Sequence, residues 1–410
     1  MTGYPEDIPL HDALDLLVSA TTAVNTTETI ALDDARGRIL REDVVSPINV
    51  PQQDVAAVDG YAFCHHDLTE TPLPVTGSIK AGHPYNKPVE RGFAYRIFTG
   101  APMPPGLDTI AMQEHCSIDD AGSVTLPQRI TAGTNFRPAG ENVAEGEVVL
   151  TAGTRLGPSE IGLAAAIGTT ELTVAPRLTV AILSMGDEVV ESGSAEGVDE
   201  GMIHDSNRPM LRQLLEADGH QVLDLGIVND DLTTLTRTYG EAAGRADVIL
   251  SSGGSSEGDE DHARAAITAN GGVIDFWRLA LKPGRPMAAG RIGTTPVYCV
   301  PGNPVAAFVC TRLLVAPLLT RLQGGRMTPP LKLNLPSGFA HRHRKGRAEY
   351  LRARIDNRDG DGKIVLNGRK GAGVLSSLTG ADGLVEIPAD HDDVTPGDLL
   401  PFIMLRESGL

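Results

Sequence analysis

Asp187, Glu188, Asp230, Asp259 and Asp261 fall in or beside short turns that follow apolar runs, a distribution that lets several carboxylates converge on one hard cation such as Mg2+. Carboxylates at such places also cap the next helix, and for Asp205, at a helix start, the cap is at least as good a reading as a ligand. Lys282, Pro283, Gly284 and Arg285 set two cations on either side of a turn, which suits an oxyanion held by charge and exposed backbone N–H groups. Arg347, with Ser376 and Ser377, adds donors further along the chain. The Ser/Gly stretch 251–258, which contains Ser252, Gly253 and Gly254, lies between an apolar run and a helical pattern and offers backbone N–H groups to a phosphate or a heterocycle edge. It also carries a G-x-S-x-G pattern around Ser256, with His262 and His341 as downstream bases. Such matches are frequent by chance and no oxyanion-hole motif accompanies this one, so a serine hydrolase ranks far below an anion site.

Regular elements must place these turns. Apolar runs at 178–183, 222–228, 248–250 and 297–300 alternate with helical patterns that begin near Asp205 and Ser206, after 229–231, after Asp261 and at Pro304. That alternation predicts a parallel sheet with helices on both faces, with ligands beyond the carboxyl ends of the strands. The loops to watch are therefore 186–188, 229–231, 251–258 and 301–304, the last containing Pro301 and Asn303. Upstream, Leu10, Leu14, Leu17 and Val18 recur at helical spacing and predict a framework helix. The Gly- and Pro-punctuated stretch 47–153 reads as a β-rich insertion, and a helix starts around Pro158 with Ser159 as its cap. A boundary falls near 177. After Gly324, Leu351, Ala353 and Ile355 alternate with Arg352 and Arg354, the pattern of a small C-terminal β-domain.

A chain of 410 residues, 41% hydrophobic, is long enough for several packed domains. The formal net charge of -18 argues against a general nucleic-acid binder while leaving room for one small anion at a local basic cluster. The four cysteines are far apart and lack C-x-x-C spacing, which suits a reducing cytosol, and Cys64, His65, His66 and Asp67 read as a surface loop in preference to a metal site. The acidic start, and the absence of a spanning-length stretch free of charge or proline, predict a soluble, cytoplasmic, unexported protein.

Taken in order, the motifs resemble those of the MoeA and gephyrin E-domain family, the molybdopterin molybdenumtransferases, from the first helix to nearly the last residue. AAVDGYAF with Asp59, FTGAPMPPG with Thr99, NFRPAGEN with Arg137 and SMGDEV with Glu188 come first. HDSNR with Asp205, GIVNDD with Asp230, SSGGSSEGDED with Asp261, WRLALKPGRP, VPGNPVAA, GRAEYLR and SSLTGADGL follow. The resemblance implies an α/β multidomain fold in four parts. These are a framework of 1–46 and 141–177, a β-rich domain of 47–140, an α/β pterin-binding-like domain of 178–326 and a C-terminal β-barrel-like domain of 327–410. It implies a homodimer that converts adenylated molybdopterin and molybdate into molybdenum cofactor with release of AMP, assisted by Mg2+. By motif position, Glu188, Asp230 and Asp261 take the cation and adenylate, with Asp59 and Thr99 reaching in from the other subunit. Arg137, Ser252, Gly253, Gly254, Pro301 and Asn303 join the substrate site, while Lys282, Arg285, Arg347 and Ser376 or Ser377 receive molybdate.

The chain departs from the family pattern at Asn142, where an Asp is expected, at Ser255 and Glu257 in the glycine loop, at Arg264, Arg278 and Arg285 in place of lysines, and at Ala306 in place of a serine. These departures motivate an alternative from another class. It is a gephyrin-like dimeric scaffold with weak or lost catalysis that binds a short peptide, such as an FtsZ-like tail or a membrane receptor's cytoplasmic segment.

Overall fold

The computed structural model describes residues 5–193, 199–253, 262–327, 329–358, 360 and 362–405. The apolar runs of the second half form strands Thr179–Met185, Gln221–Val228, Val248–Ser252 and Thr295–Val300, which pair in parallel. Their side chains alternate between two cores. Val180, Ile182 and Leu250 face a cluster with Leu211, Leu215 and Leu318, while Ala181, Leu183 and Ile249 face one with Leu235, Tyr239 and Ile267. Helices therefore cover both faces, which explains why these strands read as near-continuous apolar runs.

The chain leaves Thr179–Met185 through helix Asn207–Ala217 to reach Gln221–Val228 on one side, then returns through helix Leu232–Ala243 to Val248–Ser252 on the other. The ends of Thr179–Met185 and Val248–Ser252 thus frame a topological switch point.

The sheet has seven strands and is mixed: the four parallel strands expected from the apolar runs are joined by Val273–Leu279, Ala288–Ile292 and Glu6–Ile8. Ala288–Ile292 and Thr295–Val300 pair antiparallel with Ile292 opposite Thr295, and the two intervening residues include Gly293 at φ +58°. A connection that short joins only antiparallel strands, with glycine meeting the positive φ of a primed turn. Val273–Leu279 continues antiparallel, and Glu6–Ile8 adds the edge in parallel, with Glu6 opposite Trp277. The first helix, Leu10–Ala20, buries Ala13 and Leu17 in the same core, so the element read as framework packs with the α/β layers. Helix Pro304–Leu322 is long and apolar enough to cross a membrane, with mean hydropathy 1.7, but its window is 67% buried and Leu314, Leu318 and Leu319 sit inside the core.

The C-terminal strands Lys332–Pro336, Leu399–Met404, Gly383–Ile387, Ala348–Asp356 and Lys363–Leu366 pair successively antiparallel. A bridge between Ser337 and Ile364 brings the last back to the first, giving the barrel-like ring. Leu281–Lys282 pairs in parallel with Ala348 and Glu349, tying this ring to the α/β layers.

These elements form one compact unit, Met1–Glu28, Gly37–Arg41 and Val174–Leu410. A second unit comprises Thr29–Arg36 and Glu42–Thr173. Its main sheet runs Thr109–Met112, Gly60–Phe63, Ala94–Ile97, Leu73–Ile79, Ser123–Thr125, Ser117–Ile118, as the β-rich reading requires. Helix Pro158–Ala166 is capped by Gly157, whose N–H donates to Glu160 Oε2 at 2.9 Å, so Ser159 lies inside the helix. Proline at the first helical position sets the start ahead of Ser159. His65–Asp67 is a short helical turn whose Asp67 takes the Arg91 guanidinium on both oxygens, which is the surface-loop reading.

Candidate active site

The switch point opens into a cavity of about 720 Å3. Met185, Ser252, Asp230 and Pro301 bring the ends of its four parallel strands to that cavity. Two glycines let the loops close. A Cβ on Gly253, at φ +92°, would lie 2.3 Å from the Met185 carbonyl oxygen, and one on Gly186, at φ +136°, would lie 2.5 Å from Glu188 Oε2. At Gly253 both the conformation and the backbone contact favour glycine, whereas at Gly186 the positive φ does so and the Glu188 side chain could swing aside.

Asn207, at the start of its helix, donates through Nδ2 to Ser252 Oγ at 2.6 Å and to the Gly302 carbonyl at 2.7 Å, joining three loops. Its Oδ1 and the Ser184 hydroxyl are buried on this cavity and have no hydrogen-bond partner among the described residues. Buried polar atoms normally find partners, so two orphans on one cavity wall mark where a polar ligand belongs. Sequence reasoning passed over both, although HDSNR places Asn207 in the first turn of a helix that starts at the crevice. Asp205 caps the helix from the residue before its N-cap Ser206: its Oδ1 accepts from the N–H groups of Asn207 and Arg208, and Oδ2 from Arg208 Nε at 3.1 Å.

Glu188 and Asp230 line the same cavity, and Asp230 also meets His262 Nδ1 at 3.2 Å and donates its N–H to Asp187 Oδ1 at 3.3 Å. Asp259, Asp261, Gly254 and the G-x-S-x-G serine lie outside the described residues, as do Ser255 and Glu257. Among the described residues no group of three His, Cys, Asp or Glu side chains is placed to hold a metal ion. Two carboxylates nevertheless suit Mg2+, which keeps several waters and takes one or two protein carboxylates beside substrate phosphate.

A second cavity, of about 410 Å3, adjoins the first. Arg285, Pro286, Pro301, Asn303 and Arg347 line both. Its wall carries five cations, Lys282, Arg285, Arg347, Arg352 and Lys370, against one carboxylate, Glu349. Asp7, held at φ +53°, takes Arg285 on both oxygens at 2.7 and 3.0 Å, so even counting it the balance stays positive. Arg347 makes no hydrogen bond or ion pair with any described residue beyond a weak field on Asp7. Glu349 is 4% exposed and accepts from Lys282 at 3.0 Å and from His341 at 3.1 Å. Burial pushes its carboxyl up, but the bonds from His341 and Lys282 outweigh burial and hold it below the ordinary glutamate range. His343, with its side chain 1% exposed, lies 3.5 Å from the same carboxylate.

Ser376 and Ser377 line neither cavity, which corrects their assignment as anion donors. Ser377 is fully buried; its Oγ accepts from Arg352 Nε at 2.8 Å and donates to the Val374 carbonyl at 2.6 Å, so the hydroxyl is spent on holding Arg352. In the second unit, the N–H and hydroxyl of Thr99 both donate to Asp59 Oδ1 at 2.8 Å and hold that carboxyl below its usual range. Arg137, in the same unit, is exposed and pairs with Glu141.

Three family models cover nearly the whole chain: the MoeA N-terminal region (domain I and II) over residues 8–168, the probable molybdopterin binding domain over 181–321 and the MoeA C-terminal region (domain IV) over 334–405. The chain belongs to the MoeA family. Among its relatives, a molybdopterin molybdenumtransferase of Haemophilus influenzae is 34% identical over 91% of this chain and 92% of its own length. Molybdopterin molybdenumtransferase 2 of Mycobacterium tuberculosis is 33% identical over 91% of this chain and 93% of its own. A crystal structure of the molybdopterin biosynthesis MoeA protein from Pyrococcus horikoshii OT3 matches with TM-score 0.84 at 28% identity, over 97% of this chain and 99% of that one. MoeA membership thus rests on sequence and on fold together.

Proposed function

We infer that this chain is an enzyme of molybdenum cofactor biosynthesis, a molybdopterin molybdenumtransferase that converts adenylated molybdopterin and molybdate to molybdenum cofactor with release of AMP. The observation that carries this reading is the pair of adjoining cavities. One has orphaned polar atoms at a sheet switch point, and the other sets five cations against one carboxylate. Asn207 Oδ1, Ser184 Oγ and the backbone around Ser252 and Gly253 bind the polar edge of the pterin. Lys282, Arg285 and Arg347 bind the tetrahedral oxyanion, with Arg347 on both walls to align the two reactants. Pro283 and Pro301 contribute apolar surface to that wall. Glu188 and Asp230, joined by Asp261 on the strength of its motif alone, would hold Mg2+, which would supply positive charge beside the phosphoanhydride. Asp59, Thr99 and Arg137 are assigned to the same reaction through their motifs, and the homodimer, the four-part division and a cytoplasmic location belong to the same proposal.

The scaffold alternative gains no support. Ala306 is a buried residue of the cationic cavity's wall and Arg285 carries there the charge a lysine would, so both departures are compatible with an anion site. In a single-turnover incubation with adenylated molybdopterin, Mg2+ and molybdate, AMP and cofactor are expected to appear together. Binding of the nucleotide with no AMP formed would contradict the enzymatic reading.

A further inference from the structure

Each oxygen of Glu349 holds a different partner. Oε1 accepts from Lys282 Nζ at 3.0 Å, a contact fixed by the parallel register that sets Lys282 opposite Glu349. Oε2 accepts from His341 Nε2 at 3.1 Å, and His341 is itself fixed by a backbone bridge to Val394. A ring nitrogen that donates to a carboxylate leaves the other nitrogen of a neutral imidazole as an acceptor. Lys370 Nζ stands 2.6 Å from that nitrogen, Nδ1. The loop carrying Lys370 is anchored next to it, where Arg352 Nη2 donates to the Gly371 carbonyl at 3.1 Å and Val305 N–H to the Ala372 carbonyl at 3.0 Å. Glu349 therefore steadies two ammonium groups, Lys282 directly and Lys370 through an imidazole, and both line the smaller cavity. Both side chains remain solvent-accessible, and an ammonium has three donors, of which Lys370 spends one on His341.

We propose that Lys370 is a binding residue of the oxyanion site and that His341 is its positioning residue, turning the buried charge of Glu349 into a fixed direction for the Lys370 ammonium. This rests on the reading of the smaller cavity as the site of a tetrahedral dianion. A cation held in place ahead of binding loses less freedom when the anion arrives than a free lysine does, so the relay strengthens affinity without a contact of its own.

Equilibrium dialysis of the full chain against sodium molybdate alone tests it. Lys370→Met is expected to raise Kd about tenfold, ~1.4 kcal/mol, with Lys370→Arg recovering most of the loss. His341→Phe, which keeps ring volume and removes both nitrogens, is expected to weaken binding to a similar degree. The double variant His341→Phe/Lys370→Met is expected to be no weaker than Lys370→Met, because both changes remove one interaction. Urea unfolding of each variant shows that the fold is retained. Wild-type affinity in Lys370→Met, with Lys282→Met weakened, would overturn the Lys370 assignment and leave the oxyanion reading standing. Additive losses in the double variant would overturn the positioning role of His341. No saturable molybdate binding by the wild type, or none that responds to Lys282→Met, would overturn the oxyanion reading and the proposal with it.

Discussion

Arg347→Ala is expected to lower molybdate-dependent AMP release about a hundredfold, the scale seen when one pre-organised donor is removed from a site that stabilises developing charge. Its guanidinium is the only one of the five cavity cations with no partner among the described residues, and it lies on the wall common to both cavities. Lys282 already faces Glu349 and Arg285 already faces Asp7, so much of their charge is answered inside the protein. Arg347→Lys is expected to recover only part of the rate, since an ammonium cannot offer the planar fork that spans two acceptors. Steady-state kinetics at varied molybdate would read both, with unfolding curves matching the wild type. A rate for Arg347→Ala within threefold of wild type would remove this residue from the site.

Glu349→Gln is expected to have the largest effect on stability, about 2 kcal/mol. Removing one partner of a buried pair costs roughly 3–5 kcal/mol, but Lys282 is more than half exposed and water takes over part of its role. The pH dependence follows from the lowered carboxyl. A group whose folded value lies below its unfolded value of 4.5 contributes stability above that value and loses it as the pH falls through the folded one. Urea midpoints measured from pH 6 downward should therefore fall steeply below about 4.5 in the wild type, while Glu349→Gln starts lower and falls less steeply. Parallel curves for the two proteins would show that Glu349 is not the group responsible.

The parallel core was legible because strands buried on both faces leave apolar runs and the loops after them carry the polar residues. Glu6–Ile8 was not, since three residues carry no periodicity and their pairing to Val273–Leu279 is set by the core that follows. The antiparallel hairpin was missed because Gly293 with Thr294 gives a short turn signal that the surrounding alternation outweighed. At the site, Lys282, Arg285 and Arg347 announced themselves as clustered charge, and they share a cavity wall. Asn207 and Lys370 did not, and His341 stood out only as a candidate base for the serine pattern. Their significance lies in contacts between segments distant in sequence, such as Asn207 to Gly302 and His341 to Lys370. Ser377 misled for the opposite reason: a hydroxyl near a basic cluster reads as a ligand donor, but it is buried and fully committed to Arg352 and Val374.

Anomalous diffraction at the molybdenum edge, from crystals of the full chain soaked in molybdate, measures directly whether the smaller cavity is an oxyanion site. The expected result is one peak within hydrogen-bonding reach of Lys282 and Arg347, lost in crystals of Arg347→Ala. A peak confined to other surfaces, or one that persists unchanged in Arg347→Ala, would contradict the assignment of this cavity to the transferred oxyanion.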